Sequence, residues 1–598
     1  MCGIVGIITR DKERNLTSHC HHMMDLIKHR GPDAIGFYIN KKEGVYIGHR
    51  RLSIIDLSPN ATQPFYNEKK NICCVCNGEI YNFKELRSIL EQRGHKFVSN
   101  SDSEVIVHGY EEWGIEYIER LNGMFTFVIW DAEKKNLILA RDRIGIKPLY
   151  YINKKDYFAF ASEAKAFMGL KEMWSPEIDR ESLNLLIGFQ FIPNDNTLLK
   201  DVKKILPGCF LIVEGGSIRM KRYWKLRKNE ILKKIEFSEA IERLEELLLD
   251  SVRLRLQADV RVGILLSGGL DSSLISALAK KVSSSGIYTY TVGYNHPWDE
   301  RKFALITSKH INSIHHSIQI DPFEVNNRIE ELIWHFDDLS TLDGGIFSTY
   351  LISKKIKEFG VKVLLVGEGG DEVFGGYSWF GLSQLPFKLL PKYLRNIFYY
   401  YATNRLLFNR KAYDNFFYFN KIMDKIREKD VMRQVGFFEI VYQLPNSYLM
   451  KVDKATMANS LEARVPYLDH RVVEFSYSLP WQYKLQGHWF NMKKVNEKII
   501  IRAIAQKYLP TEIAMRKKRG FSLPIPQVLK SNIDKIKDYL LSRGSLALSL
   551  FSRKKIERLF DFKTCLYVPI EKEKEVLLWK LYLLEVWNNV YVKKKVRS

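Results

Sequence analysis

The sequence predicts an α+β first half followed by an α/β domain with a parallel sheet and a helical C-terminal part. Three observations carry this. Residues 1–210 alternate short β-rich runs with frequent Gly and Asn turns. From Val262 a strand, a glycine turn and a helix follow one another, and Val361 starts a second strand that runs into a glycine turn. That order belongs to a parallel sheet with helices on both faces. Beyond residue 380 or so the pattern is mostly helical and closes on the aromatic-rich Leu577–Trp587.

In order along the chain, Val45–Ile47, Ile72–Val75, Met124–Trp130 and Leu137–Ala140 read as strands. Helical stretches near Phe83–Arg93 and Ser103–Trp113 interrupt them. Cys73, Cys74 and Cys76 lie in an apolar run without a second metal-spaced pair, which marks a buried strand rather than a metal knuckle. The charged stretch Lys225–Glu236 reads as linker. Ser238 then stands where it could cap a helix whose Ile241, Leu244, Leu248 and Val252 share one face. Strand Val262–Leu266, helix Asp271–Val282, strand Ile287–Thr291 and strand Val361–Val366 follow.

Composition narrows the function. The 598 residues carry 92 Lys+Arg against 69 Asp+Glu, a net charge of +23. Those charges are spread along the whole chain, a compositional bias rather than a nucleic-acid stripe. No uninterrupted apolar run is long enough to span a bilayer; Leu385–Tyr401 is broken by Lys388, Lys392 and Arg395. The start lacks a signal-peptide pattern, and seven cysteines make no disulfide framework, so the expected location is the cytoplasm. A homodimer is left open.

Two constellations carry chemistry. The chain starts Met1-Cys2-Gly3. Loss of Met1 leaves Cys2 with a free α-amine of pKa about 8, a base carried by the same residue as the thiol nucleophile. The second is Leu266-Ser267-Gly268-Gly269-Leu270-Asp271-Ser272-Ser273, between an apolar strand and a helix. Its glycines bring backbone N–H groups close to a phosphate, and the helix N-terminus adds partial positive charge. The lysine of the GxxxxGK[ST] loop is missing. A further glycine turn, Gly367-Glu368-Gly369-Gly370-Asp371-Glu372, places acids at the carboxyl end of the second strand. Asp271 and Asp371 are candidate Mg²⁺ ligands, since that hard cation favours carboxylates and phosphates. Glu372 is left unassigned, with a solvated loop charge as the plain alternative.

The start of the chain, with Arg30-Gly31-Pro32-Asp33, Gly48-His49-Arg50-Arg51-Leu52-Ser53-Ile54-Ile55-Asp56, Asn77-Gly78-Glu79, Ser101-Asp102-Ser103-Glu104 and Arg141-Asp142-Arg143-Ile144-Gly145, resembles the class II glutamine amidotransferases. The resemblance implies an N-terminal nucleophile hydrolase fold, stacked antiparallel sheets with helices. It further implies that Cys2 attacks glutamine, that Asn77 and Gly78 form the oxyanion hole, and that Arg51, Ile54, Asn77, Glu79 and Asp102 hold the substrate. Asp102 could also cap the helix at Ser103.

The glycine-serine turn resembles the loop of ATP pyrophosphatases. This implies ATP and pyrophosphate contacts at Leu266, Ser267, Gly268, Gly269, Asp271, Ser272, Ser273, Val292 and Gly367, with Mg²⁺ on Asp271 and Asp371. Glu368 matches a family glutamate near the incoming ammonia. Lys498 matches a lysine that stabilises the adenylation transition state, and Arg516-Lys517-Lys518-Arg519-Gly520-Phe521 matches a block near the pyrophosphate.

With Asp453-Lys454 and Leu461–Asp469, nearly the whole chain resembles the glutamine-hydrolysing asparagine synthetases of the bacterial B type. The resemblance implies a glutaminase domain over 1–210, a linker over 211–236, a synthetase domain over 237–525 and its helical part over 526–598. The implied partners are small molecules (glutamine, ATP, and aspartate or another carboxylate), with no nucleic acid and no membrane insertion.

Two departures bear on the acceptor. Asp337-Asp338-Leu339-Ser340-Thr341-Leu342-Asp343-Gly344-Gly345 replaces a family Asp-Glu-Pro segment and contains no arginine, and Lys454 stands where Asp-Arg is common. They keep open an amidotransferase acting on a surface-polysaccharide uronic acid or a cell-wall precursor, and an intramolecular amide closure like that of β-lactam-forming relatives. A non-catalytic nucleic-acid binder is the reading from a different class.

Overall fold

Strand alternation organises the first half. The computed structural model describes residues 2–294, 299–339, 342, 345–377, 379–380, 390–404, 412–428, 430–486, 496–517, 524–561 and 569–593. Twelve strands come first: β1 (Gly3–Thr9), β2 (Ala34–Asn40), β3 (Val45–Arg51), β4 (Phe65–Tyr66), β5 (Ile72–Ile80), β6 (Gly123–Asp131), β7 (Asn136–Arg141), β8 (Tyr150–Asn153), β9 (Tyr157–Ala161), β10 (Val202–Lys204), β11 (Cys209–Glu214) and β12 (Ser217–Arg222). They form two six-stranded sheets, ordered β10-β8-β9-β1-β3-β2 and β12-β11-β7-β6-β5-β4. Successive residues of a strand face opposite sides. Ile4, Ile47, Val75, Val128 and Phe160 therefore meet between the sheets. Cys74, Cys76, Phe125 and Phe127 turn outward onto helices Phe83–Gln92 and Val105–Trp113. Helix Thr17–Leu26 covers the other outer face through Cys20, Met23 and Met24. The cysteine-rich run is the fully buried β5, as expected.

The expected linker 211–236 is corrected over residues 211–222. Residues 209–222 form the β11–β12 hairpin, with β11 paired to β7 from Phe210↔Ala140 to Glu214↔Asn136. The turn is Gly215-Gly216, both at positive φ, and the alternation of Cys209, Leu211 and Val213 fills the inter-sheet core. Ser238 does not cap the next helix. That helix runs Phe237–Arg255 with Glu236 at its N-cap, though Leu244, Leu248 and Val252 are buried as the spacing required.

The second half holds one parallel sheet of β13 (Val262–Leu265), β14 (Tyr288–Gly293), β15 (Ile314–Gln319), β16 (Val363–Leu365) and β17 (Glu462–Arg464). Its order is β15-β14-β13-β16-β17. The chain builds outward from β13 in one direction and then restarts at β16 on its other side. A cleft opens at the carboxyl ends of these two neighbours, where such sheets bind ligands. The C-terminal helix Pro569–Asn588 packs onto Glu324–His335 and Ile533–Leu541.

Candidate active sites

The first site follows from strand parity. Cys2 precedes β1 on the side of Ile4, and Asn77 and Glu79 share the side of Val75. All three therefore point into the space between the sheets at one end of the sandwich. The Cys2 backbone N–H donates to Asn77 Oδ1 at 3.1 Å. Asn77 is fully buried, and its Nδ2 has no hydrogen-bond partner among the described residues. A buried amide donor left without an acceptor is costly unless something else fills that place. Gly78 has φ +151°, and a Cβ there would stand 2.1 Å from the Met124 carbonyl oxygen, so only glycine fits beside Asn77. Burial pushes the Cys2 thiol up, and the Leu52 backbone N–H pulls against it.

Asp102 does not cap the following helix, which begins at Val105; its Oδ2 accepts the Ile80 N–H at 2.7 Å. Burial pushes its carboxyl up to about 6. Glu79 is also pushed up by burial and by neighbouring Glu462, although Arg464 lies 3.2 Å away and opposes both. Arg51 donates through its terminal nitrogens to the carbonyls of Ser58 (2.8 Å) and Asp56. The Ile54 carbonyl accepts from Asp259 N–H at 2.9 Å, and its side chain packs on Leu52 and Val363, so Ile54 belongs to the seam between the halves.

The second site lies at the β13/β16 cleft, around a cavity of about 390 Å³. Ser267, Gly269, Asp271, Ser272, Val292 and Gly367 all line it. Gly268 turns the loop at φ +80°, where a Cβ would stand 2.8 Å from the Ala304 N atom. The Ser267 and Ser272 hydroxyls are 2.9 Å apart. Lys498 Nζ reaches Asp271 Oδ2 and Asp371 Oδ1, each at 2.5 Å, so the two acids converge on one cation. Lys498 itself is in the left-handed region at φ +56° and almost wholly buried. Such strain in a non-glycine residue clusters at functional sites. Glu368 faces the cavity with Lys451 3.8 Å away. Arg516 closes the loop side, donating to the Gly268 carbonyl and stacking 3.7 Å over the Phe303 ring. Lys517 also lines the cavity, while Lys518, Arg519, Gly520 and Phe521 lie outside the described residues.

Four expectations change here. Ser273 is fully buried and accepts from the Thr307 hydroxyl at 3.1 Å, turned away from the cavity; Leu266 is buried and extends the strand by donating its N–H to the Tyr290 carbonyl. Glu372 is no solvated loop charge: it is buried, accepts from the Tyr377 hydroxyl, and is pushed up to about 8 by burial and by Asp371. Asp337 and Asp338 do not face an acceptor. Lys454 pairs with both, Lys165 N–H donates to Asp337 at 2.8 Å, and the Tyr150 hydroxyl donates to Asp338 at 2.6 Å. Ser340, Thr341, Asp343 and Gly344 lie outside the described residues.

Lys454 is one part of a buried charged layer joining the sites. Arg30 donates to the Cys2 carbonyl (3.1 Å), Glu163 (2.8 Å) and Asp453 (2.9 Å). Arg464 sits between Glu79 and Glu462, with Glu462 at 2.6 Å. Arg30, Glu79, Asp453, Lys454, Glu462 and Arg464 all fall in motif blocks but Glu163 does not, and the Arg30–Asp453 and Arg464–Glu79 pairs join positions hundreds of residues apart.

A sandwich with an N-terminal thiol and an oriented amide, joined to a parallel-sheet cleft with a glycine-serine loop, defines a two-site glutamine amidotransferase. A glutamine amidotransferase domain model matches residues 1–224, and an asparagine synthase model matches 243–589. The chain belongs to the asparagine synthase family. It is 31% identical to asparagine synthetase (glutamine-hydrolysing) 1 of Bacillus subtilis (strain 168), over 100% of this chain and 98% of that protein. It is 29% identical to asparagine synthetase (glutamine-hydrolysing) 3 of the same organism, over 94% and 93%. Amidase chry2 of Gibberella zeae is 28% identical, over 88% and 89%. Among the described residues no helix is long and apolar enough to cross a membrane.

Proposed function

We propose that the chain is a glutamine-hydrolysing asparagine synthetase, converting ATP, aspartate, glutamine and water to AMP, diphosphate, asparagine and glutamate. The observation that carries this reading is the pairing of Cys2 with Asn77, whose buried Nδ2 awaits an acceptor, in one chain with the Asp271–Lys498–Asp371 cluster.

In the mature chain the Cys2 amine, held by Asn77 Oδ1, takes the thiol proton. The sulfur attacks the glutamine amide carbon, and Asn77 Nδ2 and Gly78 N–H receive the oxyanion. The amine returns that proton to the amide nitrogen, the C–N bond breaks and ammonia leaves, and water then hydrolyses the thioester to glutamate and frees the thiol. Asp102 and Glu79 accept from the substrate α-ammonium, and Arg51 and Ile54 form the wall on its carboxylate side. In the cleft, the loop N–H groups, Ser267, Ser272 and Lys498 hold the phosphates of ATP while an aspartate carboxylate attacks the α-phosphorus and releases diphosphate. Ammonia attacks the acyl-adenylate, Glu368 takes the proton, and AMP leaves. Two carboxylates already converging on a cation suit Mg²⁺. Asp271 and Asp371 would hold that ion, which would neutralise phosphate charge.

The test supplies ATP, Mg²⁺ and either glutamine or ammonia, and screens carboxylic acids for AMP release. Aspartate should trigger AMP, diphosphate and asparagine. Cys2→Ala should lose the glutamine route by at least about 10³-fold and keep the ammonia route. Release of ADP and orthophosphate, or equal loss with both nitrogen donors, would overturn the reading; AMP release with another acid but not aspartate would overturn the acceptor.

A further inference from the structure

Outside both sites, a group of four metal-ligating side chains converges in the first half. Glu68 follows β4, His95 follows helix Phe83–Gln92, and His108 and Glu111 lie three residues apart on one face of helix Val105–Trp113. One ligand atom from each lies within 4.8 Å of all the others. His95 Nδ1 is 3.6 Å from Glu68 and 3.9 Å from Glu111 Oε2, and His108 Nδ1 is 3.6 Å from Glu68 Oε2.

These distances are too long for hydrogen bonds and too short for strangers. His108 is 1% exposed, and neither ring nitrogen makes a hydrogen bond among the described residues. Glu111 Oε2 is in the same condition. A buried imidazole whose nitrogens make no hydrogen bond is expensive, and a bound ion removes the expense. The remaining oxygens are already placed by the protein. Lys96 N–H donates to Glu68 at 2.8 Å, and Asn67 Nδ2 donates to Glu111 Oε1 at 3.0 Å. Behind each histidine stands a carboxylate: Glu112 at 3.3 Å from His95 Nε2 and Glu104 at 3.7 Å from His108 Nε2. A carboxylate on the far nitrogen is the usual support of a metal-bound histidine, because it fixes the tautomer and aims the ring.

We propose that Glu68, His95, His108 and Glu111 bind one Zn²⁺ ion. Two imidazoles with two carboxylates suit zinc, whereas Mg²⁺ and Ca²⁺ take oxygen ligands. Tetrahedral coordination needs ligand atoms about 3.4 Å apart, so exposed Glu68 and half-buried His95 and Glu111 draw in towards buried His108. The ion braces the glutamine pocket. Glu104, behind His108, also accepts the Val98 and Ser99 N–H groups and the Ser99 hydroxyl, and so holds the turn leading to Asp102.

The test uses the full chain with Cys2→Ala, which removes the thiol of the glutamine site as a competing ligand. Elemental analysis after dialysis against chelator-free buffer should find about one zinc per chain. Stripping the protein and returning one equivalent of Zn²⁺ should raise the unfolding midpoint by about 5 °C, and millimolar Mg²⁺ should not. His95→Gln with His108→Gln should abolish both the zinc content and the shift. Glu111→Gln, at the half-buried edge, keeps the fold independently testable and should weaken zinc binding at least about tenfold. A parent chain that retains no zinc and shows no shift would overturn the proposal. So would a shift equally large in both variants.

Discussion

The two catalytic regions are built on opposite plans. At the Cys2 site the groups are buried, set by strand parity, and held by neighbours on fixed elements. At the β13/β16 cleft they border an open cavity, sit on glycine turns, and hold one another through Lys498. A small neutral substrate can be received by donors already in place. A polyphosphate must displace a cation–carboxylate cluster that stands where its own charges will lie. The first site is pre-organised for one oxyanion, and the second keeps its charges neutralised until ligands arrive.

Lys498→Ala breaks this comparison most sharply. It removes the ammonium that bridges Asp271 and Asp371 and would face the ATP phosphates, so diphosphate release should fall by about 10²–10³-fold. Glutaminase activity should change less than about twofold, because the Cys2 site is built between the sheets of the first half and the cluster at the β13/β16 cleft. Parallel assays of diphosphate and glutamate check it. Equal losses would show that the two regions are one energetic unit.

The next largest effect concerns the layer between them. Burial works against the Lys454 charge, but Asp337 and Asp338 outweigh it and hold the ammonium above its ordinary range. Lys454→Met strands two buried carboxylates and should cost about 3–5 kcal/mol, seen as an earlier thermal transition. Lys454→Arg should recover most of it. If the methionine variant unfolds like the parent, the layer is not a structural joint.

The motif-bearing turns were legible in the sequence because glycine, serine and acid at a strand end is a local signal. Cys2, Asn77 and Gly78 were legible for the same reason, and β5 was visible as an apolar run. The charged layer was not, since Arg30 and Asp453 are separated by 423 positions and no periodicity links them. Glu372 carries no role from the sequence because its burial comes from the tertiary fold, even though its partner Tyr377 lies only five positions on. The β11–β12 hairpin was read as linker although Gly215-Gly216 marked its turn; the charges of β12 masked an edge strand, which commonly carries them.

A pH series sharpens the comparison from the glutamine side. Asp102 must be ionised to accept an ammonium, and burial raises its carboxyl to about 6. The glutaminase kcat/KM should rise with pH towards about 8, as the Cys2 amine becomes neutral, and should show an additional fall of about tenfold per unit below about 6, where Asp102 takes up its proton. Stability moves the other way. The folded state holds this proton more tightly than the unfolded chain, so this group's contribution is full below about 4 and lost as pH rises through 6. Opposite signs separate lost binding from acid unfolding, and Asp102→Asn should remove the break near 6 from both profiles.

The smallest expected effect tests which face of the loop touches nucleotide. Ser272 and Ser273 are adjacent, but the helix turns them apart: Ser272 borders the cavity beside Ser267, and Ser273 is bonded to Thr307. Ser273→Ala should cost about 1 kcal/mol of stability by orphaning the Thr307 hydroxyl, with the KM for ATP within about twofold of the parent. Ser272→Ala should raise that KM about tenfold, the loss of a single hydrogen bond to a charged ligand. Steady-state kinetics at saturating glutamine and acceptor distinguish them. If Ser273→Ala were the variant that lost ATP, the helix would have to enter the cleft rotated by about 100° from its place here, and the Thr307 contact could not survive.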